Sequence, residues 1–168
     1  MAENLKLGTH SDVLSTDSAE AIAPHLITFA KQARRHIQIF SPELTHVLYS
    51  NAEFIQSLSD SIRNNSRMRV QILLGDPGPS VRRGHRLLAL MEKLGSYIEV
   101  RRTHNDFQTL TCDYMLADKR GYIFRNNAER FFTEICYNDR LTTDSYCKQF
   151  SHIWEMSTRE REFLRLHI

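Results

Sequence analysis

Thr111-Cys112-Asp113-Tyr114-Met115-Leu116-Ala117-Asp118, then Lys119-Arg120-Gly121, Tyr122-Ile123-Phe124 and Arg125-Asn126-Asn127, reads as two short apolar runs joined by a tight turn and closed by a polar one. Runs of this length around a glycine-containing turn predict a β-hairpin, Cys112–Ala117 against Tyr122–Phe124. Along such a strand Asp113 and Asp118 have different parity, so they point to opposite faces or one lies at the strand end. A paired-carboxylate acid/base site is therefore not expected. Arg125 is the natural cross-hairpin partner for one of them.

Outward from the hairpin, the period of the apolar residues alternates between that of strand and that of helix, as a layered α/β domain requires. On the N-terminal side, Tyr97–Arg102 reads as a strand, and a polar loop over Thr103–Thr109 separates it from the hairpin. Before it, the turn Gly75-Asp76-Pro77-Gly78-Pro79 leads into a helix carrying Leu87, Leu90, Met91 and Leu94. Met68–Leu74 is the clearest strand, β-branched and largely alternating. Ser50-Asn51-Ala52-Glu53 is a capping box opening a helix with Phe54, Ile55, Leu58 and Ile62 inward, ended at Asn64-Asn65. His36–Phe40 is a strand stopped by Ser41-Pro42. An earlier helix buries Ala19, Ile22, Leu26, Phe29, Ala30 and Ala33, with Asp17 as its cap and Glu20 three residues on; Pro24 predicts a later start or a kink. Leu5–Thr9 reads as a short edge strand.

On the C-terminal side, Phe131–Tyr137 reads as one more strand. A helix then places Tyr146, Phe150, Ile153 and Trp154 on one face, and these aromatics read as core rather than a ligand cage. Ser157 and Glu160 cap a final short helix with Phe163, Leu164 and Leu166. The expected fold is α/β, a mixed, mostly parallel sheet with helices on both faces. It forms one domain over residues 1–168, for the chain contains no repeat, low-complexity tract or linker.

The composition, 41% hydrophobic and 25% charged, is that of a globular domain. No apolar run approaches the roughly 18 residues of a membrane span, and Met1–Lys6 lacks the basic start and apolar centre of a secretory signal. Cys112, Cys136 and Cys147 are odd in number with no CxxC spacing, which predicts free thiols and a cytoplasmic protein. The formal net charge of +2 is too small to imply nucleic acid by itself. Arginines nevertheless gather at Arg63, Arg67 and Arg69, at Arg82, Arg83 and Arg86, and at Arg101 and Arg102.

The hairpin window resembles the phospholipase-D-like superfamily, which carries a strand-borne HxKxxxxD signature followed by a second strand and a polar turn. Thr111 to Asp118 has the signature's length and final aspartate, with Thr111 at the histidine position and Asp113 at the lysine position. Arg125-Asn126-Asn127 stands where the polar turn is expected, and the Ser41-Pro42-Glu43-Leu44 segment after a strand is also similar. The chain further resembles a small uncharacterised bacterial family of this fold, sometimes fused to acetyltransferase domains. The resemblance implies a single half-module, and such halves pair around a shared site, so a homodimer is expected.

The departure from the signature bears on activity. In that superfamily the histidine attacks the phosphodiester and the lysine stabilises charge on the phosphate. Thr111 offers no imidazole lone pair, and a carboxylate at 113 would repel the phosphate it should hold. Loss of both groups points away from catalysis, unless His104 swings in from the nearby loop.

Gly75–Ser80 with Val81-Arg82-Arg83-Gly84-His85-Arg86 is the segment most suggestive of a ligand. A loop entering a helix presents free N–H groups to anions, and Arg82, Arg83, His85 and Arg86 would add donors. The plainer reading is a tight turn with a solvated basic helix face. Gly84 costs roughly 1 kcal/mol inside a helix and marks a close approach of backbone or ligand. His36 and His46, or His152 and His167, show no metal-ligand spacing, and no cofactor is implied.

The sequence thus predicts a non-catalytic binding or regulatory module whose degenerate site spans Thr111, Asp113, Asp118, Asn126 and Asn127. Its expected partner is a second copy or another protein, or a small anion. The alternative is phosphate or nucleic-acid binding through Arg82, Arg83, His85, Arg86, Arg101 and Arg102, with Arg125 a further anion candidate. An active phosphodiesterase is the minority reading.

Overall fold

The computed structural model describes residues 2–159. One eight-stranded sheet runs β1 (Leu14–Thr16), β7 (Thr133–Cys136), β6 (Gly121–Arg125), β5 (Asp113–Ala117), β2 (His36–Ser41), β3 (Arg69–Leu74), β4 (Ile98–Arg102), β8 (Thr158–Arg159). Helices α1 (Ala19–Gln32), α2 (His46–Tyr49), α3 (Ala52–Asn64), α4 (Gly78–Arg82), α5 (Arg86–Lys93) and α6 (Arg140–Met156) complete it. No helix among the described residues is long and apolar enough to cross a membrane.

The sheet is mixed, with helices on both faces, but less parallel than expected. Among the described residues only β2–β3 and β3–β4 pair in parallel; β5, β6, β7, β1 and β8 all pair antiparallel to their neighbours. The reason is connection length. The two crossovers through α3 and α5 are long enough to return a strand in parallel, whereas the β5–β6 turn permits only a hairpin.

Alternation along the strands divides the interior into two layers. Ile37, Ile39, Val70, Ile72, Met115 and Ile123 pack with Leu26, Phe29, Leu58 and Leu87 from the helices of one face. Phe40, Leu73, Tyr114, Leu116 and Tyr122 pack with Phe150, Ile153 and Trp154 of α6 on the other. The α6 aromatics are therefore core, as expected. Tyr146 stacks on Phe124 with ring centroids 4.8 Å apart.

Several local expectations are corrected. Leu5–Thr9 forms no strand: Leu7 N–H donates to Gln32 and Gly8 N–H to the Tyr137 carbonyl, so this segment is strapped onto the sheet by isolated bonds. The edge strand comes later, at Leu14–Thr16. Ser18, not Asp17, caps α1, and Pro24 is accommodated inside it. Asn51, not Ser50, caps α3 by accepting from Glu53 N–H and Phe54 N–H; the Ser50 hydroxyl instead receives Arg86 N–H. The third helix is two helices, because Gly84 at φ +63° turns the chain between them. A Cβ there would meet nothing within 4 Å, so Gly84 marks a turn and not a close approach. The close-approach glycine is Gly121, where a Cβ would lie 2.7 Å from Leu7 and 2.9 Å from the Cys136 carbonyl. The terminal helix expected over Glu160, Phe163, Leu164 and Leu166 lies outside the described residues.

Candidate functional site

Open α/β sheets take ligands beyond the carboxyl ends of their parallel strands, where the strand order switches direction. Here that point is β2, parallel to β3 on one side and antiparallel to β5 on the other. Phe40 pairs with Tyr114 in register, so the carboxyl end of β2 meets the start of β5, and Asp113 stands there. Alternation with Met115 and Ala117 turns its side chain to the α1–α3–α5 face.

Asp113 does not face an opening. Its side chain and that of Arg125 are each only 2% exposed, and the two pair at 3.1 Å across the hairpin, as the strand parity predicts. Ser41 Oγ–H donates to Asp113 Oδ2 at 2.6 Å and Tyr49 O–H to Oδ1 at 2.5 Å. Arg125 donates further to the carbonyls of Ala128 and Arg130 and to Thr45 Oγ1. Burial, and then the Asp113 charge, raise Tyr49 well above the ordinary phenol range, so it remains a donor. Ser41 Oγ in turn accepts Leu44 N–H, which holds Leu44 at φ 54°.

This network ties β2, α2, β5, β6 and the loop after β6 together. Arg125 is therefore not an exposed anion ligand, because its guanidinium is already surrounded by acceptors. The expected repulsion of phosphate by Asp113 is corrected likewise: the carboxylate is neutralised by Arg125, and the position is closed rather than openly negative.

The rest of the motif window is dispersed. Thr111 is exposed, its hydroxyl 3.4 Å from the Asn126 carbonyl. Asn126 is exposed, and Asn127 accepts Glu129 N–H as a local turn. Asp118 lies at the other end of the strand, where its carboxylate accepts the N–H groups of Arg34, Arg35 and His36 at 2.7, 2.8 and 2.9 Å. It anchors the α1–β2 connection. His104 does not swing toward Asp113: its ring Nδ1 accepts Asp106 N–H, and its backbone N–H donates to Ser157 Oγ.

A cleft of about 200 Å³ adjoins the Asp113 network, lined among others by Ser41, Glu43, Asp76, Thr103 and Gln108. Its charged lining residues, Glu43 and Asp76, are both acidic. Thr103 Oγ is buried there without a partner. Such a lining is unsuited to phosphate.

The arginine-rich segment is not one surface either. Arg82, Arg83 and Arg86 are exposed, but His85 is 1% exposed and caps α5, accepting Leu87 N–H on Nδ1 and facing the Leu44 carbonyl with Nε2 at 3.0 Å. That arrangement fixes a neutral ring, and burial pushes its pKa down to about 4. His85 is therefore a structural cap and not an anion donor. Arg101 is occupied too, 3.0 Å from Glu99, bonded to the Trp154 carbonyl and stacked 4.3 Å over its ring; Arg102 is exposed.

Cys112, Cys136 and Cys147 are free thiols; burial, then Asp113, pushes Cys112 up to about 11, which disfavours its thiolate at neutral pH. Among the described residues no three His, Cys, Asp or Glu side chains gather as metal ligands.

A family described as a domain of unknown function (DUF7931) matches residues 18–166. None of the curated proteins matches the chain. Among solved structures, the fold is similar to Nuc from Salmonella typhimurium, a phospholipase D family member, at 13% identity and TM-score 0.63, covering 89% of this chain and 98% of that one. It is also similar to TrmBL2, an archaeal chromatin protein, at 11% identity and TM-score 0.64, covering 94% of this chain and 56% of that one. Phosphatidylserine synthase from Haemophilus influenzae Rd KW20 matches at 12% identity and TM-score 0.60, with 94% and 41% covered. At these identities the likeness establishes a phospholipase-D-like fold.

Proposed function

Because this chain belongs to the DUF7931 family, whose description carries no activity, and has the phospholipase-D-like fold, we propose that it is a non-catalytic binding module with a degenerate phosphodiesterase site. The observation that carries this reading is the buried Asp113–Arg125 pair, locked by Ser41 and Tyr49, at the position where the resembled signature has its lysine. Thr111 supplies no nucleophilic ring, and the adjoining cleft is acidic. A phosphoryl group would meet neither a nucleophile nor a free cation there.

The same end of the sheet is the face for a second copy of the chain. Thr45 and Phe131 both meet Arg125, and close to them in sequence Val47 and Phe132 are 54% and 58% exposed, two apolar side chains available to a partner. TrmBL2, similar in fold, is described as a chromatin protein that binds DNA, which accords with a binding role on this scaffold.

Two measurements test the reading. Purified protein incubated with bis-p-nitrophenyl phosphate should release no nitrophenol above buffer; turnover abolished by Thr111→Ala would overturn the non-catalytic assignment. Sedimentation equilibrium should give a dimer that survives high salt and dissociates in Phe132→Glu, whereas a monomer at every concentration removes the self-association.

A further inference from the structure

At the opposite end of the sheet, where β2 and β3 begin, cationic side chains from four separated parts of the chain converge. Lys6, Lys31, Arg34, Arg35 and Arg120 line a cleft of about 630 Å³. Beside it, Lys119, Arg120 and Arg140 line a second of about 600 Å³. Asp118 and Arg120 border both, so the β5–β6 turn stands between them.

Against these seven cations the two clefts hold, among the described residues, two carboxylates, Asp118 and Asp144. Asp118 is engaged by three backbone N–H groups, and Asp144 pairs with Lys148 at 3.0 Å. Lys31 reaches Glu53 at 3.7 Å between two exposed side chains, a pair of little strength. Among the described residues, the side chains of Lys6, Arg34, Arg35, Lys119, Arg120 and Arg140 meet no carboxylate and donate no hydrogen bond. Arg140 is moreover the first residue of the 17-residue α6, at the positive end of a helix dipole that favours an anion.

The whole chain carries a formal charge of only +2, so this end is positive through segregation of charge. Gathering like charges opposes the compact state unless an anion neutralises them. We propose that this end of the domain binds the phosphate backbone of a nucleic-acid duplex. This surface shares no residue with the Asp113–Arg125 network, so it goes beyond the non-catalytic reading and stands apart from it.

A duplex fits better than a single strand because, among the described residues, no Phe, Tyr or Trp lines either cleft, and single-strand binding relies on aromatic stacking. It fits better than a bilayer because the cations line concave clefts, and among the described residues lining them Leu141, 86% exposed, is the single large apolar side chain that projects; surface helices that bind membranes present a whole apolar face.

The test is fluorescence anisotropy of the full chain with a labelled DNA duplex of about 20 base pairs, titrated over salt because phosphate contacts release counterions. Binding should weaken steeply with salt. Arg35→Glu with Arg120→Glu should lower affinity about tenfold or more and reduce the log–log salt slope by about 2, while Arg82→Glu with Arg83→Glu leaves both unchanged. Arg35→Gln with Arg120→Gln repeats the comparison without introducing acids, with circular dichroism verifying the fold. An RNA duplex run in parallel identifies the nucleic acid, and binding of either supports the proposal. Absence of salt-sensitive duplex binding overturns it, as does an equal loss in the two arginine pairs, or binding to phosphatidylserine vesicles but to neither duplex. A duplex that is bound and cleaved would remove the non-catalytic reading while leaving this surface standing.

Discussion

Asp113 and Asp118 occupy the two ends of one arm of the same hairpin, and the structure uses them in opposite ways. Asp113 is fully buried and satisfied by side chains from three elements, an arginine, a serine and a tyrosine. Asp118 is half-exposed and satisfied by three consecutive backbone N–H groups of one connection. Around Asp113 the surface is acidic and the motif position closed; around Asp118 it is open, concave and basic. The comparison teaches that a motif's length and terminal aspartate can persist in a fold as architecture. What a carboxylate does is set by what neutralises it.

The sharpest break of that contrast is Asp113→Ala. It strands a buried guanidinium and should cost about 3–5 kcal/mol in urea unfolding. Replacing both partners, Asp113→Leu with Arg125→Met, should recover most of this, since an apolar pair of similar volume removes the uncompensated charge. A loss of under about 1 kcal/mol in the single variant would mean that the pair is solvated and the site open.

Next in size is the pH response of the same end. Burial keeps His85 neutral in the folded protein and pushes its pKa down to about 4, from the ordinary 6.5 of an imidazole. Below 6.5 the unfolded chain takes up a proton that the folded chain refuses, so stability falls as pH drops from 6.5 toward 4. At about 1.4 kcal/mol per unit the contribution is roughly 3 kcal/mol. Burial also lowers the His25 pKa and acts in the same sense. The check is the difference between the wild type and His85→Asn, which should have a flatter profile from pH 6.5 to 4; parallel profiles would exclude His85 as the source.

The smallest effect belongs to the other end. Asp118→Ala leaves three partly solvated N–H groups without an acceptor and should cost about 1–2 kcal/mol by the same unfolding measurement. Because it also removes a negative charge from both basic clefts, it should tighten duplex binding where the stabilising carboxylate is lost. A variant that is less stable yet binds more tightly would separate the two roles; weaker binding at full folding would imply that Asp118 positions the arginines beside it.

Much of this was legible in local sequence. The hairpin, the strands at His36, Arg69 and Ile98 and the helix over Arg140–Met156 follow from apolar period and turn chemistry, which act between residues near in the chain. Even the Asp113–Arg125 pair could be read, because register fixes cross-strand neighbours. The cap at Asn51 is not legible against Ser50, because adjacent residues can each cap a helix and only the distant Arg86 takes Ser50 away. His85 resembled a ligand in a basic run because burial leaves no mark on the residues beside it.

The sequence by itself determined a layered α/β domain and the absence of the histidine and lysine from the HxKxxxxD window. Only the tertiary structure decided that Asp113 is sealed inside, and that Lys6, Lys31, Arg34, Arg120 and Arg140 share one end of the sheet. Secondary structure is written in short-range pattern, whereas burial and electric field are sums over residues that meet only after the chain has folded.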